Sequence, residues 1–126
     1  MGLPGSGKTT LSKHLASKLN YNSFNADEIR AFLKDWDFSD FGRDRQLKRM
    51  IEVSYSKENT ICDFVCPFES SRSEFSPDFL IWMNTIKVGR FEDTNNSFQK
   101  PLKYNLMINS FTYNISDILN KIKRNE

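Results

Sequence analysis

Three glycines, a lysine and a threonine near the start of the chain have the types and spacing that bind a phosphate group. Residues 2–9 read Gly-Leu-Pro-Gly-Ser-Gly-Lys-Thr and fill every fixed position of the Walker A motif. The glycines let the backbone wrap closely around an anion, because they tolerate positive φ and add no side chain. Backbone N–H groups of such a loop, with a helix N-terminus behind it, attract negative charge. The motif therefore predicts a site for nucleotide phosphates.

The chemistry expected at this site is that of ATP with Mg²⁺. We expect Lys8 to contact the β- and γ-phosphates and the Thr9 hydroxyl to ligate the metal ion. The predicted ATP-binding residues are Gly2, Leu3, Pro4, Gly5, Ser6, Gly7, Lys8, Thr9 and Thr10. A glycine-rich turn that only caps a helix is the alternative. It is disfavoured because the whole motif is present and a helix-forming pattern follows it.

Two carboxylates further along the chain are candidates for the same site. Asp27 follows a short β-prone segment and could accept the proton of an acceptor hydroxyl or hold a metal-bound water. Aspartate is also a good helix N-cap, and the two roles can coexist. Asp63 follows Thr-Ile-Cys at 60–62 and is a candidate metal ligand of the Walker B type, although the apolar run before it is short.

Beyond the phosphate loop the chain resembles the adenylylsulfate kinase family. Residues 25–30, Asn-Ala-Asp-Glu-Ile-Arg, resemble its Asp-Gly-Asp-Asn-Val-Arg signature. Residues 38–49 resemble its Phe-Ser…Arg-x-x-Asn-x-x-Arg stretch, and residues 64–67, Phe-Val-Cys-Pro, stand where it has Phe-Ile-Ser-Pro. Residues 91–101, which end in Phe-Gln-Lys-Pro, resemble its Phe-Thr-Gly…Tyr-Glu-x-Pro element. The resemblance covers most of the chain, but only the phosphate loop is a strong motif by itself.

This resemblance implies transfer of the γ-phosphate of ATP to the 3′-hydroxyl of adenylyl sulfate. It implies that Lys8 and Asp27 are catalytic, with Asp27 near the acceptor hydroxyl and Mg²⁺. The substrate-binding residues that it implies are Asp27, Arg30, Phe38, Arg43 and Gln46. Both arginines would clamp sulfate and phosphate groups through their planar fork of donors, and the phenylalanine would stack on the acceptor's adenine. A solvated helix face is the alternative for each arginine.

Several positions depart from the family pattern. Asn25 replaces the first aspartate of the signature, Gln46 replaces an asparagine, and Cys66 stands in place of a serine. The family has a basic lid over ATP, whereas here residues 85–89, Thr-Ile-Lys-Val-Gly, bridge that region directly. Lid closure excludes water and completes a charge clamp, so a short lid allows another acceptor or slow turnover.

Two other functions stay open on the sequence alone. One is a P-loop kinase for a different small hydroxyl acceptor, such as a sugar acid or a nucleoside-like molecule. The other is a nucleotide-binding module that has lost turnover, which the short lid favours but Lys8, Thr9 and Asp27 oppose. Arg72 and Arg90 could add positive charge to a transition state, but each is more simply interpreted as a surface arginine.

Hydrophobic spacing predicts the elements that must position these residues. The predicted helices cover 9–19, 29–36, 41–56, 70–75 and 115–124. The predicted strands cover 22–25, 60–66, 79–83 and 104–109, and a polar loop covers 84–100. Strands that alternate with helices indicate an α/β fold, here a single three-layer P-loop kinase-like domain over residues 1–126 with a mainly parallel sheet.

The strand that should feed the phosphate loop is the one element without a predicted segment. In this fold that strand is central, and Met1 alone cannot form it. We therefore expect Met1 to be an internal methionine of a longer reading frame, with an apolar β-rich stretch encoded upstream. Otherwise we expect marginal stability or another segment in the central position, because unpaired buried backbone groups are costly.

Composition excludes several classes of partner. The net charge of +2 and the dispersed basic residues predict no nucleic-acid binding. The longest apolar run, at 79–83, is far short of the ~20 residues that span a bilayer, so no membrane partner is expected. With no secretory segment, a cytoplasmic location is expected. The expected partner is a small-molecule acceptor such as adenylyl sulfate, and a homodimer is left open.

Overall fold

Helices and strands alternate along the chain in the computed structural model, which describes residues 1–125. Its helices are α1 Lys8–Leu19, α2 Ala26–Leu33, α3 Asp40–Ser54, α4 Glu69–Phe75, α5 Glu92–Ser97 and α6 Ile115–Arg124. Its strands are β1 Asn22–Asn25, β2 Thr60–Asp63, β3 Ile81–Met83 and β4 Leu106–Ile108. This order confirms the predicted α/β class.

Residues at the helix ends explain where the first helices begin and stop. Gly7 precedes α1 with φ of 93°, a left-handed conformation that glycine adopts without strain. The Asn25 side chain caps α2 by accepting a hydrogen bond from the Glu28 N–H. Lys34 then takes a left-handed conformation and ends α2, so Trp36 lies outside the helix predicted over 29–36. That prediction was too long, because hydrophobic spacing does not register a C-cap.

The strands form two separate two-stranded sheets, and both are parallel. β1 pairs with β2 in a register that joins Asn22 to Thr60 and Asn25 to Asp63. β3 pairs with β4 in the same manner, joining Ile81 to Leu106. The mainly parallel sheet predicted from the sequence, without a segment for its central strand, is thus present as two halves. A cavity of about 710 Å³ lies between them, lined by residues of both β2 and β3.

Apolar side chains from α1, β3, β4 and α6 form the core. Its buried members are Leu11, Leu15, Met83, Ile108 and Ile118. β2, β3 and β4 are shorter than predicted, whereas β1 covers the predicted residues 22–25, and the backbone leaves the extended ladder after Asp63 and after Met83. These early strand ends place polar residues at the carboxyl edge of each half-sheet.

The region 84–100 is not wholly a loop, as the sequence predicted, because α5 lies within it. Glu92 and Asp93 occupy the first turn of α5, where acidic side chains stabilise a helix N-terminus. The Asn95 side chain binds both backbone groups of Gly89, accepting from its N–H at 2.7 Å and donating to its carbonyl at 2.9 Å. The sequence did not predict this helix, because residues 92–97 are polar and include two asparagines, so they show no hydrophobic spacing.

No helix within residues 1–125 is long and apolar enough to cross a membrane.

Candidate active site

The phosphate loop is held closed by its own backbone and by β3. A Cβ atom placed on Gly2 would stand 2.6 Å from the Met83 carbonyl oxygen, so the close approach of loop and strand requires glycine. The Ser6 N–H donates to the Leu3 carbonyl at 3.1 Å, and the Lys8 ammonium donates to the same carbonyl at 3.0 Å. The loop is therefore shaped before any ligand arrives.

Lys8 lies half-buried at the start of α1. Burial lowers the pKa of its ammonium group, while the negative charges of Asp63 and Asp27 act in the opposite direction. Arg90 is close enough to lower the same pKa further. A desolvated cation beside the loop gains most from a bound anion, since a phosphate restores the interactions that burial removes.

Thr9, Asn25 and Asp63 meet beside the phosphate loop and form what we call the carboxylate cluster. The Thr9 hydroxyl donates to Asp63 Oδ2 at 2.7 Å. Asn25 Nδ2 donates to the same oxygen at 2.8 Å and to the Thr9 hydroxyl at 3.0 Å. The two metal-ligand candidates of the sequence, Thr9 and Asp63, are thus in direct contact.

The carboxylate cluster has a donor set that fits Mg²⁺. Asp63 is buried, and its Oδ1 has no hydrogen-bond partner among residues 1–125. Mg²⁺ is commonly held by one or two carboxylates, a hydroxyl and phosphate oxygens, rather than by a full protein cage. The described part of the chain has no group of three or more acidic, histidine or cysteine side chains that could hold a metal by themselves. The cluster therefore suits a metal ion that arrives with a nucleotide.

Asn25 is a site residue that the sequence reasoning did not select. In the sequence it stands in place of an aspartate, and in the structure its side chain caps α2 through Oδ1 and donates to Thr9 and Asp63 through Nδ2. Its position as the last residue of β1 was the available signal, because β1 and β2 are parallel and their carboxyl ends meet at one edge. One amide thereby links the start of α2 to the site.

Asp27 lies exposed on the first turn of α2, and its negative charge acts to raise the pKa of Lys8. The helix cap that the sequence offered as its alternative role belongs to Asn25 instead. A carboxylate that is open to solvent near the phosphate loop is accessible to a ligand. Its catalytic role stays a prediction.

Two of the predicted substrate-binding residues are buried and donate hydrogen bonds to backbone carbonyls of the protein. Arg30 is buried and donates through one nitrogen to the carbonyls of Asp35 and Asp37, both at 3.0 Å. Gln46 is also buried and donates to the Ala26 carbonyl at 2.9 Å. These bonds tie α2, α3 and the segment between them together, so each side chain positions the region as well as being a candidate ligand contact.

The other predicted substrate-binding residues are more accessible. Phe38 is 52% exposed, and the Arg30 guanidinium stands 4.5 Å from its ring centroid. Arg43 is half-buried and lies over the Phe68 ring at 5.6 Å. A ring and a guanidinium with free faces can both contact a planar, anionic ligand. Their role as substrate contacts stays a prediction.

The short segment that replaces a lid lies against the phosphate loop. The Thr85 hydroxyl donates to the Ser6 carbonyl at 2.7 Å. A Cβ atom on Gly89 would stand 3.2 Å from the Pro4 carbonyl oxygen, so this residue also touches the loop. Arg90, which follows, is exposed. The segment therefore supports the outer side of the loop and carries a cation to the mouth of the site.

Arg72 is not the surface arginine that the sequence suggested. It is buried and donates to the carbonyls of Cys66 and Pro67, at 2.9 and 3.2 Å, and to Glu69 at 2.7 Å. Burial raises the pKa of the neighbouring Cys66 thiol to about 11, so this thiol is protonated at neutral pH. Arg72 thus shapes the turn after β2.

Comparison with known proteins identifies a family and a fold. A family model described as adenylylsulphate kinase matches residues 1–80, whereas no curated protein matches the chain. The APS kinase CysC of Mycobacterium tuberculosis, solved in complex with AMPPNP and APS, is similar with a TM-score of 0.75 and 17% identity. That match covers 99% of this chain and 93% of the other.

Two further solved structures have the same fold. A gluconokinase from Sinorhizobium meliloti 1021 gives a TM-score of 0.65 at 16% identity, covering 99% of this chain and 87% of that one. Shikimate kinase from Acinetobacter baumannii, in complex with shikimate, gives 0.66 at 17%, covering 98% and 88%. Identities this low speak for the fold alone.

Proposed function

The chain belongs to the adenylylsulphate kinase family, as its resemblance predicted, and on that premise we propose that it transfers the γ-phosphate of ATP to the 3′-hydroxyl of adenylyl sulfate. The observation that carries the proposal is that Lys8, whose pKa responds to the charge of Asp63, and the carboxylate cluster both lie beside a closed phosphate loop. Phosphoryl transfer depends on positioning and on charge stabilisation, and these are the groups that supply both.

In this proposal the phosphate loop binds and orients the triphosphate. Backbone N–H groups and the N-terminus of α1 attract the phosphates, and Lys8 exchanges its bond to the Leu3 carbonyl for a phosphate oxygen. Thr9 and Asp63 would hold Mg²⁺, which when bound neutralises charge on the β- and γ-phosphates. Asn25 keeps Thr9 and Asp63 in contact, and so positions both ligands.

The acceptor hydroxyl would approach from the side of α2. Its oxygen forms a bond to the γ-phosphorus while the bond from that phosphorus to the β,γ-bridging oxygen breaks, and ADP leaves. Asp27, exposed near Lys8, accepts the hydroxyl proton and later releases it to water. Arg43 and Phe38 are the accessible contacts for the anionic group and the adenine of the acceptor.

A kinase for another small hydroxyl acceptor is the second candidate. One observation favours it: the short segment 85–89 stands in place of a basic lid. Both candidate functions would use the same phosphate loop, so they differ only in the acceptor molecule that the protein binds.

A coupled assay of ADP release tests these alternatives. The purified protein is given ATP and Mg²⁺ with adenylyl sulfate, gluconate, shikimate or no acceptor, and Lys8→Ala serves as the inactive control. We expect turnover that depends on adenylyl sulfate. Turnover with another acceptor alone would replace the first proposal by the second. ATP binding by calorimetry without turnover on any acceptor would identify a binding module instead.

A further inference from the structure

Arg72 of α4 is buried and bonds to residues 66–69, which lead from β2 into α4 and which we call the 66–69 turn. Its Nε donates to the Cys66 carbonyl, Nη2 to the Pro67 carbonyl and Nη1 to the Glu69 carboxylate. Nη2 also donates to the Gln99 carbonyl. Four bonds from three nitrogens need the planar fork of an arginine, because lysine offers a single nitrogen.

The backbone that Arg72 holds is strained at Cys66. This residue has φ of 48°, in the left-handed region that non-glycine residues seldom occupy. Such a conformation persists only where the surrounding structure fixes it. The bond from Arg72 to the Cys66 carbonyl, at 2.9 Å, acts directly on the strained residue. Without this bond we expect the 66–69 turn to relax.

Gln99 holds the same turn from another part of the chain. Its N–H donates to the Pro67 carbonyl at 2.8 Å, and its Oε1 accepts from the Glu69 N–H at 2.8 Å. The second bond caps the first N–H of α4, because Phe68, the N-cap residue, makes no side-chain cap bond. Phe68 therefore lies between two residues that Arg72 and Gln99 hold together.

Phe68 connects the 66–69 turn to a candidate acceptor contact. The Arg43 guanidinium of α3 lies 5.6 Å from the centroid of the Phe68 ring, within the range of a cation–π contact. Within residues 1–125 the Arg43 side chain makes no ion pair. The ring is therefore the contact that orients this guanidinium.

We propose that Arg72 is a positioning residue for the acceptor. It fixes the 66–69 turn and with it the Phe68 ring, and the ring orients Arg43. This role rests on the proposed function in that Arg43 contacts the anionic group of the acceptor. Arg72 is itself buried, so it acts through Phe68 and Arg43. Because misplacing a binding group weakens only the contacts of that group, the acceptor should be affected more than ATP.

Steady-state kinetics compare Arg72→Lys with a variant that only lowers stability. Arg72→Lys keeps the charge but loses the fork. We expect its acceptor KM to rise by about 10–100-fold, as for a misplaced contact. Its ATP KM should stay within about twofold of the parent. Ile118→Val removes one methylene from the core and should lower Tm without changing either KM. An unchanged acceptor KM in Arg72→Lys would overturn the proposal.

NMR of the Arg43 Nε–H group tests the same role without an acceptor. Its resonance, assigned by its loss in Arg43→Ala, should move in Arg72→Lys and in Phe68→Leu, since both separate the guanidinium from the ring. It should not move in Ile118→Val. This result does not depend on which acceptor the protein phosphorylates, so it stands even if adenylyl sulfate gives no turnover. A parental resonance in Arg72→Lys would contradict the proposal.

Gln99→Ala keeps the proposal testable if Arg72→Lys does not fold. This variant removes only the acceptor of the Glu69 N–H. It should move the Arg43 resonance and raise the acceptor KM, both by less than Arg72→Lys. Lys100→Ala, at the next and also exposed position, is the matched control and should change neither. A folded Gln99→Ala protein with the resonance and the acceptor KM of the parent would overturn the proposal.

Discussion

Polar groups differ in their hydrogen bonding between two sides of the site. One is the phosphate side, around the phosphate loop; the other is the acceptor side, formed by α2, α3 and the segment between them. Beside the phosphate loop, Ser6 Oγ and Asp63 Oδ1 are buried and have no partner among residues 1–125. On the acceptor side, Arg49 and Arg45 both bond to Asp35, at 2.7 and 3.3 Å. Arg30 there is bound to two backbone carbonyls. Polar atoms on the phosphate side are thus left without hydrogen-bond partners among residues 1–125, whereas charged groups on the acceptor side bond to other groups of the protein.

This difference indicates how each region meets a ligand. A buried polar atom without a partner costs about 1–3 kcal/mol, so its retention points to a ligand that satisfies it. On the acceptor side, buried Arg30 and the partly exposed ion pairs of Asp35 hold the chain in place, and accessible surfaces are left for contact. Those surfaces are largely aromatic: Phe32 and Phe41 are 86% and 82% exposed, and the Trp36 ring lies tilted beside that of Phe38.

Removing Lys8 should have the largest effect on the phosphate side. Lys8→Ala takes away the one cation inside the loop, and kcat/KM should fall by about 10²–10³ as for other lost transition-state contacts. Steady-state kinetics with varied ATP measure this. Lys13→Ala on the exposed face of α1 is the control, since it should change kcat/KM little. Equal activity in both variants would contradict the role given to Lys8.

Neutralising Asp63 should have the next largest effect. Asp63→Asn keeps the shape but places an amide opposite the donors of Thr9 and Asn25, so the carboxylate cluster is disturbed and the metal loses a charged ligand. The Mg²⁺ concentration for half-maximal rate should rise by about 10–100-fold. Ser12→Ala is the matched control, because its hydroxyl reaches Asp63 only at 3.4 Å. An unchanged Mg²⁺ requirement in Asp63→Asn would refute the metal assignment.

Two arginine variants separate structure from recognition on the acceptor side. Both Arg30→Ala and Arg43→Ala should raise the acceptor KM far more than the ATP KM. Only Arg30→Ala should also lower the free energy of unfolding, by about 1–3 kcal/mol, because it leaves the Asp35 and Asp37 carbonyls without their donor. Urea denaturation and kinetics on the same preparations decide this. A stable Arg30→Ala protein with a changed acceptor KM would make Arg30 a recognition residue alone.

The smallest expected effect is a loss of stability in acid. Hydrogen bonds from Ser39, and then Arg45, lower the pKa of Asp37 to about 2, and Arg45 and Arg49 lower that of Asp35 further. A carboxyl group whose pKa is lowered by folding stabilises the fold at pH values above its pKa in the unfolded chain, which is ~3.9. This stabilisation is lost as the pH falls through the pKa of the folded state. Tm should therefore fall between about pH 4 and pH 2.

The matched variant for the acid effect is Arg45→Ala, which removes a partner of both aspartates. Its Tm should be nearer to that of the parent at pH 2 than at pH 7. A Tm difference that stays constant over this range would show that the acid sensitivity comes from other carboxyl groups.

Local signals predicted much of the fold and part of the site. The start of α1, the strand at 22–25 and the helix at 41–56 were placed within about two residues, because glycines, hydrophobic spacing and caps act over a few positions. Prediction was poorer where hydrogen bonds of polar side chains, which hydrophobic spacing does not register, decide the outcome. The helix over 92–97 depends on the bond between Asn95 and Gly89, and the burial of Arg72 depends on carbonyls around it.

The sequence by itself determined the phosphate loop, its lysine and the alternation of strands with helices, because these follow from residue types and short spacings. Only the tertiary structure decided that Asp63 contacts Thr9, 54 positions away, and Asn25, 38 positions away. It also decided the register of each half-sheet and the cavity that lies between the two. Contacts of this kind depend on which strand edges lie side by side, and sequence spacing does not encode that neighbourhood.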